Sequence, residues 1–266
     1  MGVESTYKYI EDYLNHIQAK GRYTVTLEEL KNKFESSKQA IQQNIFRLKS
    51  KNQLAQVRKE FYVILPPQYS NRGMIPPTLF IGDLMEFLQR EYYVGLLSAS
   101  ALHGAGHQQP MQFQVMIKKP PMRSIKNKKL DLHFYVKSKW QAEDIVQKKT
   151  ETGYIQVSSP ALTAFDLVHY NKKIGGLNRI IPILEDLVES IKTSELNRTA
   201  RNQKVPDLQR LGYMLEQLGN ELLASTLYKR IEKKTLREIP ISLAHKNREG
   251  ELNTKWNVLI NTELDF

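Results

Sequence analysis

The sequence predicts an α+β protein in two parts, a winged helix-turn-helix module at the N-terminus and a larger mixed α/β domain after it. Three observations predict this. Residues 26–65 read, in order, as a helix, a tight turn, a polar-faced helix and a basic-tipped β-hairpin. Two Pro-Pro pairs, Pro66-Pro67 and Pro76-Pro77, bracket Ser70-Asn71-Arg72-Gly73 and interrupt the regular pattern. Beyond them the strand-like runs QFQVMIK and LDLHFYV are followed by a succession of amphipathic helices. The predicted organisation is residues 1–68 as the DNA-binding module, 69–78 as a linker and 79–266 as the second domain.

Taken in order, residues 7–19 form a helix with Tyr9 or Ile10, Tyr13, Leu14 and Ile17 inward, ended by Lys20-Gly21. Residues 22–26 are a β-prone run that can add a third strand to the hairpin. Thr26 with Glu29 three residues on is a capping box, so a helix starts at Leu27 and runs to Phe34. Ser36 or Ser37 caps the next helix, which continues to Lys51 and buries Ala40, Ile41, Asn44, Ile45 and Leu48. Strands at 54–57 and 61–65 are joined by Arg58-Lys59-Glu60. The second domain opens with a helix at 79–89 and another at 92–106, whose small residues Gly95, Ser98, Ala99, Ala101, Gly104 and Ala105 permit close packing. Strands follow at 112–118, 130–136 and 154–157. Helices are predicted at 161–170, with Pro160 at its start, and at 177–190, 208–218 and 221–233. Short strands at 239–243 and 256–260 finish the chain.

Charge locates the expected partner. The 266 residues carry a formal net charge of +11. Residues 1–70 hold 11 Lys/Arg against 7 Asp/Glu, and residues 118–149 hold 10 against 3, which together account for the whole excess. A polyanion is the partner this balance favours. In the helix-turn-helix the second helix enters the major groove and the wing meets phosphate. Ser37, Lys38, Gln39, Gln42, Gln43, Arg47 and Lys49 on that helix, with Arg58 and Lys59 on the wing, are therefore the DNA-binding candidates. Glutamine can bond adenine in two places and arginine guanine, while lysine mostly meets phosphate. Phe46 lies on the same outward face, to pack on the wing or touch a thymine methyl. Lys118, Lys119, Arg123, Lys126, Lys128 and Lys129 form a second cluster, either a phosphate-binding extension or a solvated lysine-rich turn.

Composition narrows the class further. Apolar residues make up 41% and aromatics 9%, the profile of a folded globular protein. There is no cysteine, hence no disulfide, thiolate metal site or thiol nucleophile. The first residues include Glu4, Glu11 and Asp12 and lack an apolar segment, so a cytoplasmic location without membrane attachment is expected. No cofactor or metal is predicted. His103 and His107 are four apart, but Gly104 and Gly106 between them end the helix that would align them. Ser98 and Ser100 near His103 lack the glycines of a nucleophile elbow, and Gly104-Ala105-Gly106 lacks the lysine of a phosphate loop. Asp131 and Lys137 match only part of a nuclease core, with His133-Phe134-Tyr135 where its second acid belongs.

Tyr92–Ile117, YYVGLLSASALHGAGHQQPMQFQVMI, behind such a module resembles the AbiEi family, the antitoxins of bacterial type IV toxin–antitoxin and abortive-infection (AbiE) systems. SSPALTAFDLVHY, the helix after Gly175-Gly176 and the closing WNVLINTELDF are similar to that family's C-terminal domain. The resemblance implies a non-enzymatic antitoxin and autorepressor with two tasks. Its N-terminal domain would bind inverted repeats in its own promoter. Its C-terminal domain would counter a nucleotidyltransferase toxin, with or without a stable complex. A single aspartate, Asp131, stands where the toxin would need two on one strand to hold magnesium, so this chain is not read as the toxin. The other readings are a ligand-sensing winged-helix transcription factor and a nuclease-like enzyme.

Overall fold

A computed structural model describes residues 9–106, 110–243 and 249–266. Helix α1 (Ile10–Ala19) turns Ile10, Tyr13, Leu14 and Ile17 inward; residues 7 and 8, where the sequence pattern begins it, lie outside the described residues. Strand β1 (Thr24–Thr26) leads directly into α2 (Leu27–Lys33). The Thr26 half of the capping box forms there, its hydroxyl accepting from the Glu29 amide at 3.1 Å, while the Glu29 carboxylate is taken by Tyr13 and Arg22. Helix α3 (Lys38–Ser50) is capped by Ser37, whose Oγ accepts from the Ala40 amide at 3.2 Å. Strands β2 (Leu54–Arg58) and β3 (Phe61–Ile64) make the hairpin, and β1 pairs with β3 to give an antiparallel sheet of order β1-β3-β2. Ile41, Ile45 and Leu48 of α3 close a core with Leu14, Val25 and Leu30. Tyr13 and Arg22 both bond Glu29, which ties α1 to α2; burial, then the glutamate, push the Tyr13 phenol up to about 12.

Residues 66–78, expected to lack regular structure, contain a short helix α4 (Pro67–Ser70) and a 3-10 turn (Pro77–Leu79), each with proline at its start. The helix expected at 79–89 is α5 (Ile81–Phe87). The single helix expected at 92–106 is instead strand β4 (Tyr92–Val94) followed by α6 (Leu96–Leu102). Gly95 is extended and Leu96 has φ 55°, so the helix cannot run through them; Val94 pairs in parallel with Val157.

Strands β5 (Phe113–Ile117), β6 (Ile125–Lys126), β7 (Asp131–Val136), β8 (Ile145–Thr150) and β9 (Gly153–Ser158) join β4 in a six-stranded sheet of order β6-β7-β5-β4-β9-β8. The short β6 and the whole of β8 escape the sequence pattern. Then come α7 (Pro160–Tyr170), α8 (Leu177–Val188), α9 (Thr193–Ala200), α10 (Val205–Gln217) and α11 (Glu221–Tyr228). A small sheet of order β10-β12-β11 is built from β10 (Ile239–Pro240), β11 (Glu251–Asn253) and β12 (Val258–Ile260).

Two compact units result. The first gathers Met1–Tyr92, Pro120–Phe134 and Gln147–Ile155; the second gathers Tyr93–Lys119, Tyr135–Val146 and Gln156–Phe266. The second has its own large core, in which α7 is buried on nearly every face. Trp256 is fully buried there. A side chain at Gly212 would run into its ring, and its indole N–H donates to Glu216 Oε2 at 2.6 Å. Among the described residues no helix is long and apolar enough to cross a membrane.

Candidate nucleic-acid interface

Helix α3 contains no acidic residue. Its pattern Ile41, Ile45, Leu48 places one stripe in the core, and the other faces carry Lys38, Gln39, Gln42, Gln43, Phe46, Arg47 and Lys49, all exposed, as is the cap Ser37. Arg47 is steadied without being consumed. Its guanidinium donates to Asn44 Oδ1 at 3.2 Å and lies 3.7 Å from Glu11, a carboxylate it shares with Lys51 at the same distance. Lys49 donates to Gln56 Oε1 on β2 at 3.1 Å, which links the helix to the hairpin. The hairpin tip is tight because Glu60 adopts φ 66° and the pairing slips between Gln56 and Arg58. Lys59 is exposed at this tip and Arg58 partly so.

Beside the hairpin lies an open groove of about 680 Å³. Lys49, Arg58 and Lys59 line it from the N-terminal module, and Lys128 and Lys129 line it from the turn between β6 and β7; all belong to the first unit. That turn is held rigidly. Asn127 Oδ1 accepts from the amides of Lys129 at 2.8 Å and Leu130 at 2.9 Å, and the Asn127 amide donates to the Leu130 carbonyl at 2.8 Å. Gly73, with φ 62°, lies directly against the outer end of the Lys129 side chain. Five cations from chain segments some 70 residues apart in sequence thus face one space.

The rest of the predicted basic cluster is dispersed. Lys126 is exposed, 3.9 Å from Asp131, and does not line the groove. Lys118 belongs to the second unit, where its ammonium sits 5.0 Å from the centre of the Trp140 ring. Lys119 is an exposed residue of the second unit, and Arg123 is exposed in the first.

The second unit contains a buried polar cluster that periodicity does not reveal. Asp166, on α7, is fully buried and takes the Tyr93 hydroxyl at 2.7 Å on one oxygen and Lys137 Nζ at 2.5 Å on the other. Burial, then the charge and hydrogen bond of Asp166, push the Tyr93 phenol well up. Tyr170 donates to the Val136 carbonyl at 2.7 Å, and its phenol too is raised, by burial and then by Asp166 and Asp207. Asp144 accepts from Thr199 at 2.7 Å, and Asp207 lies 2.9 Å from His169 Nδ1 and 3.9 Å from Arg210. These contacts tie α7 to β4, to the end of β7 and to α10, and the segment before β8 to α9. The acid-and-lysine pair of the nuclease reading does not assemble, since Asp131 bonds His133 at 2.7 Å while Lys137 is committed to Asp166. His103 Nε2 is 2.7 Å from the Ser158 carbonyl, and His107 lies outside the described residues. Ser98 and Ser100 are buried and bonded to backbone. Among the described residues no group of three or more potential metal ligands occurs.

Residues 93–217 match the family model of the AbiEi antitoxin C-terminal domain. No curated protein matches the chain. Among solved structures, the crystal structure of the RV2827C protein from Mycobacterium tuberculosis is similar over 96% of this chain and 93% of that one, with a TM-score of 0.67 and 16% identity. At that identity the likeness is one of fold.

Proposed function

With an AbiEi antitoxin C-terminal domain at residues 93–217 as the premise, we propose that this chain is the antitoxin and transcriptional autorepressor of a bacterial type IV toxin–antitoxin system. Residues 1–68 act as a winged helix-turn-helix that binds inverted repeats in its own promoter. Residues 79–266, beyond the segment 69–78, counter a nucleotidyltransferase toxin in the cytoplasm, and they do so without catalysis, cofactor or metal. The observation that carries the DNA-binding half is the acid-free outer face of α3 beside a groove lined by five cations. Such a surface suits a duplex, with side chains on base edges and flanking cations on phosphate. The buried polar contacts of Asp166, Asp144 and Asp207 support a structural role for the second unit's carboxylates.

The test uses the intact chain, because a cut at residue 78 would divide the first unit. Full-length protein should shift its own promoter fragment in a salt-sensitive way. Gln42→Ala or Gln43→Ala should cost about 1–3 kcal/mol at the operator and relax base preference there. The same variants, co-expressed with the neighbouring toxin gene, should still rescue growth. Failure of the wild-type protein to bind the promoter sinks the repressor assignment, and failure to rescue growth sinks the antitoxin assignment.

A further inference from the structure

Phe46 is the anomaly of α3. It is 72% exposed, although phenylalanine is the most apolar residue on that helix's outer face and the core has no place for it. The helical repeat sets it between Gln42 and Gln43 one turn earlier and Ser50 one turn later. It is therefore in the middle of the face assigned to base reading. An exposed aromatic there gains nothing for the fold, since Ile41, Ile45 and Leu48 already supply the packing stripe.

We infer that Phe46 is a specificity-determining residue that reads a thymine by apolar contact with its C5 methyl in the major groove. The inference rests on the DNA-binding reading above. Three features favour a base over a protein surface. Lys38, Arg47 and Lys49 flank the ring and α3 has no carboxylate, so the surroundings complement phosphate. Glutamines 42 and 43 offer the paired donor and acceptor that match adenine, and the neighbouring apolar group matches the one apolar feature of the major groove, the thymine methyl. Finally, three or four residues of helix advance about 4.5–6 Å. That is one to two base-pair steps of roughly 3.4 Å, so Phe46 meets a base pair next to the one the glutamines read.

Deoxyuridine isolates the contact, because it removes the methyl and leaves every hydrogen-bonding group of thymine in place. Each thymine of the promoter fragment is replaced singly, and full-length wild type, Phe46→Ala and Phe46→Leu are titrated against each duplex. One thymine in each half-site should weaken wild type about fourfold on losing its methyl, the change expected for one buried methyl-sized group. Phe46→Ala should bind the normal fragment more weakly and be indifferent to that substitution, while Phe46→Leu retains part of the sensitivity. Wild type that binds the promoter but ignores every deoxyuridine overturns the assignment of Phe46 alone. So does a Phe46→Ala protein with wild-type sensitivity, or one that keeps its DNA affinity and loses growth rescue, which would put the ring against a protein. Wild type that does not bind the promoter at all overturns the DNA reading together with this inference.

Discussion

Changing Lys128 and Lys129 together to glutamine removes two of the five cations that line the groove while leaving α3 and the hairpin untouched. If each ammonium neutralises one phosphate, the slope of log affinity against log salt should become shallower by about 1.8. Between about 50 and 200 mM salt, wild type would then lose about 12-fold more affinity than the variant, a difference well outside titration error. Fluorescence anisotropy with a labelled promoter fragment and a scrambled fragment reads both specific and non-specific binding. Both slopes should fall together and base preference should stay constant, since phosphate contacts carry no sequence information. Lys126→Gln is the internal control. Its ammonium is 3.9 Å from Asp131 and does not line the groove, so its effect should be smaller. Equal slopes for wild type and the double variant would refute the argument. If growth rescue failed while the slopes held, the turn would face the toxin or its substrate instead.

Two further predictions concern the second unit. Asp166→Ala strands Lys137 and the Tyr93 hydroxyl in a buried site and should lower unfolding free energy by about 3–5 kcal/mol; a urea midpoint within error of wild type would show that the pair contributes nothing. Burial alone would raise the Glu216 carboxyl, but hydrogen bonds from Lys255 and Trp256 and the lysine's charge outweigh it and hold the group below its usual range. A depressed carboxyl supplies stability above its unfolded value of about 4.3 and loses it as pH falls through the folded value. Glu216→Gln should therefore flatten the acid limb of stability below about pH 4.3, and parallel limbs for the two proteins would contradict this.

The N-terminal elements are legible because their signals are local. Thr26 and Glu29 sit three residues apart, Ser37 caps the helix it precedes, and Ile41, Ile45 and Leu48 repeat at helical spacing, and all three features are present in the structure. The departure at residues 92–106 has a physical cause. Small residues after Tyr93 suggest a continuous helix, whereas Val94 is claimed by Val157 more than 60 residues away. Strand β8 escapes the pattern because its Lys148 and Lys149 dilute the alternation. The groove is only half visible. Lys126, Lys128 and Lys129 are brought close together by the chain itself, but nothing local says that Lys129 packs beside Gly73 or that Lys118 belongs with Trp140. Asp166 is hidden inside a helix that reads as plain core.

The first unit also sets a timetable for the chain's own synthesis. It includes Gln147–Ile155, so the ribosome must add just over 90 residues after the β2–β3 hairpin before the unit can close. At typical elongation rates that interval is on the order of 5–20 s. Pairings of such wide sequence separation are slow to form and follow the local helices. The nascent chain therefore has α3 well before it has the complete cationic groove, and the first unit can close when only about a quarter of the second has been synthesised.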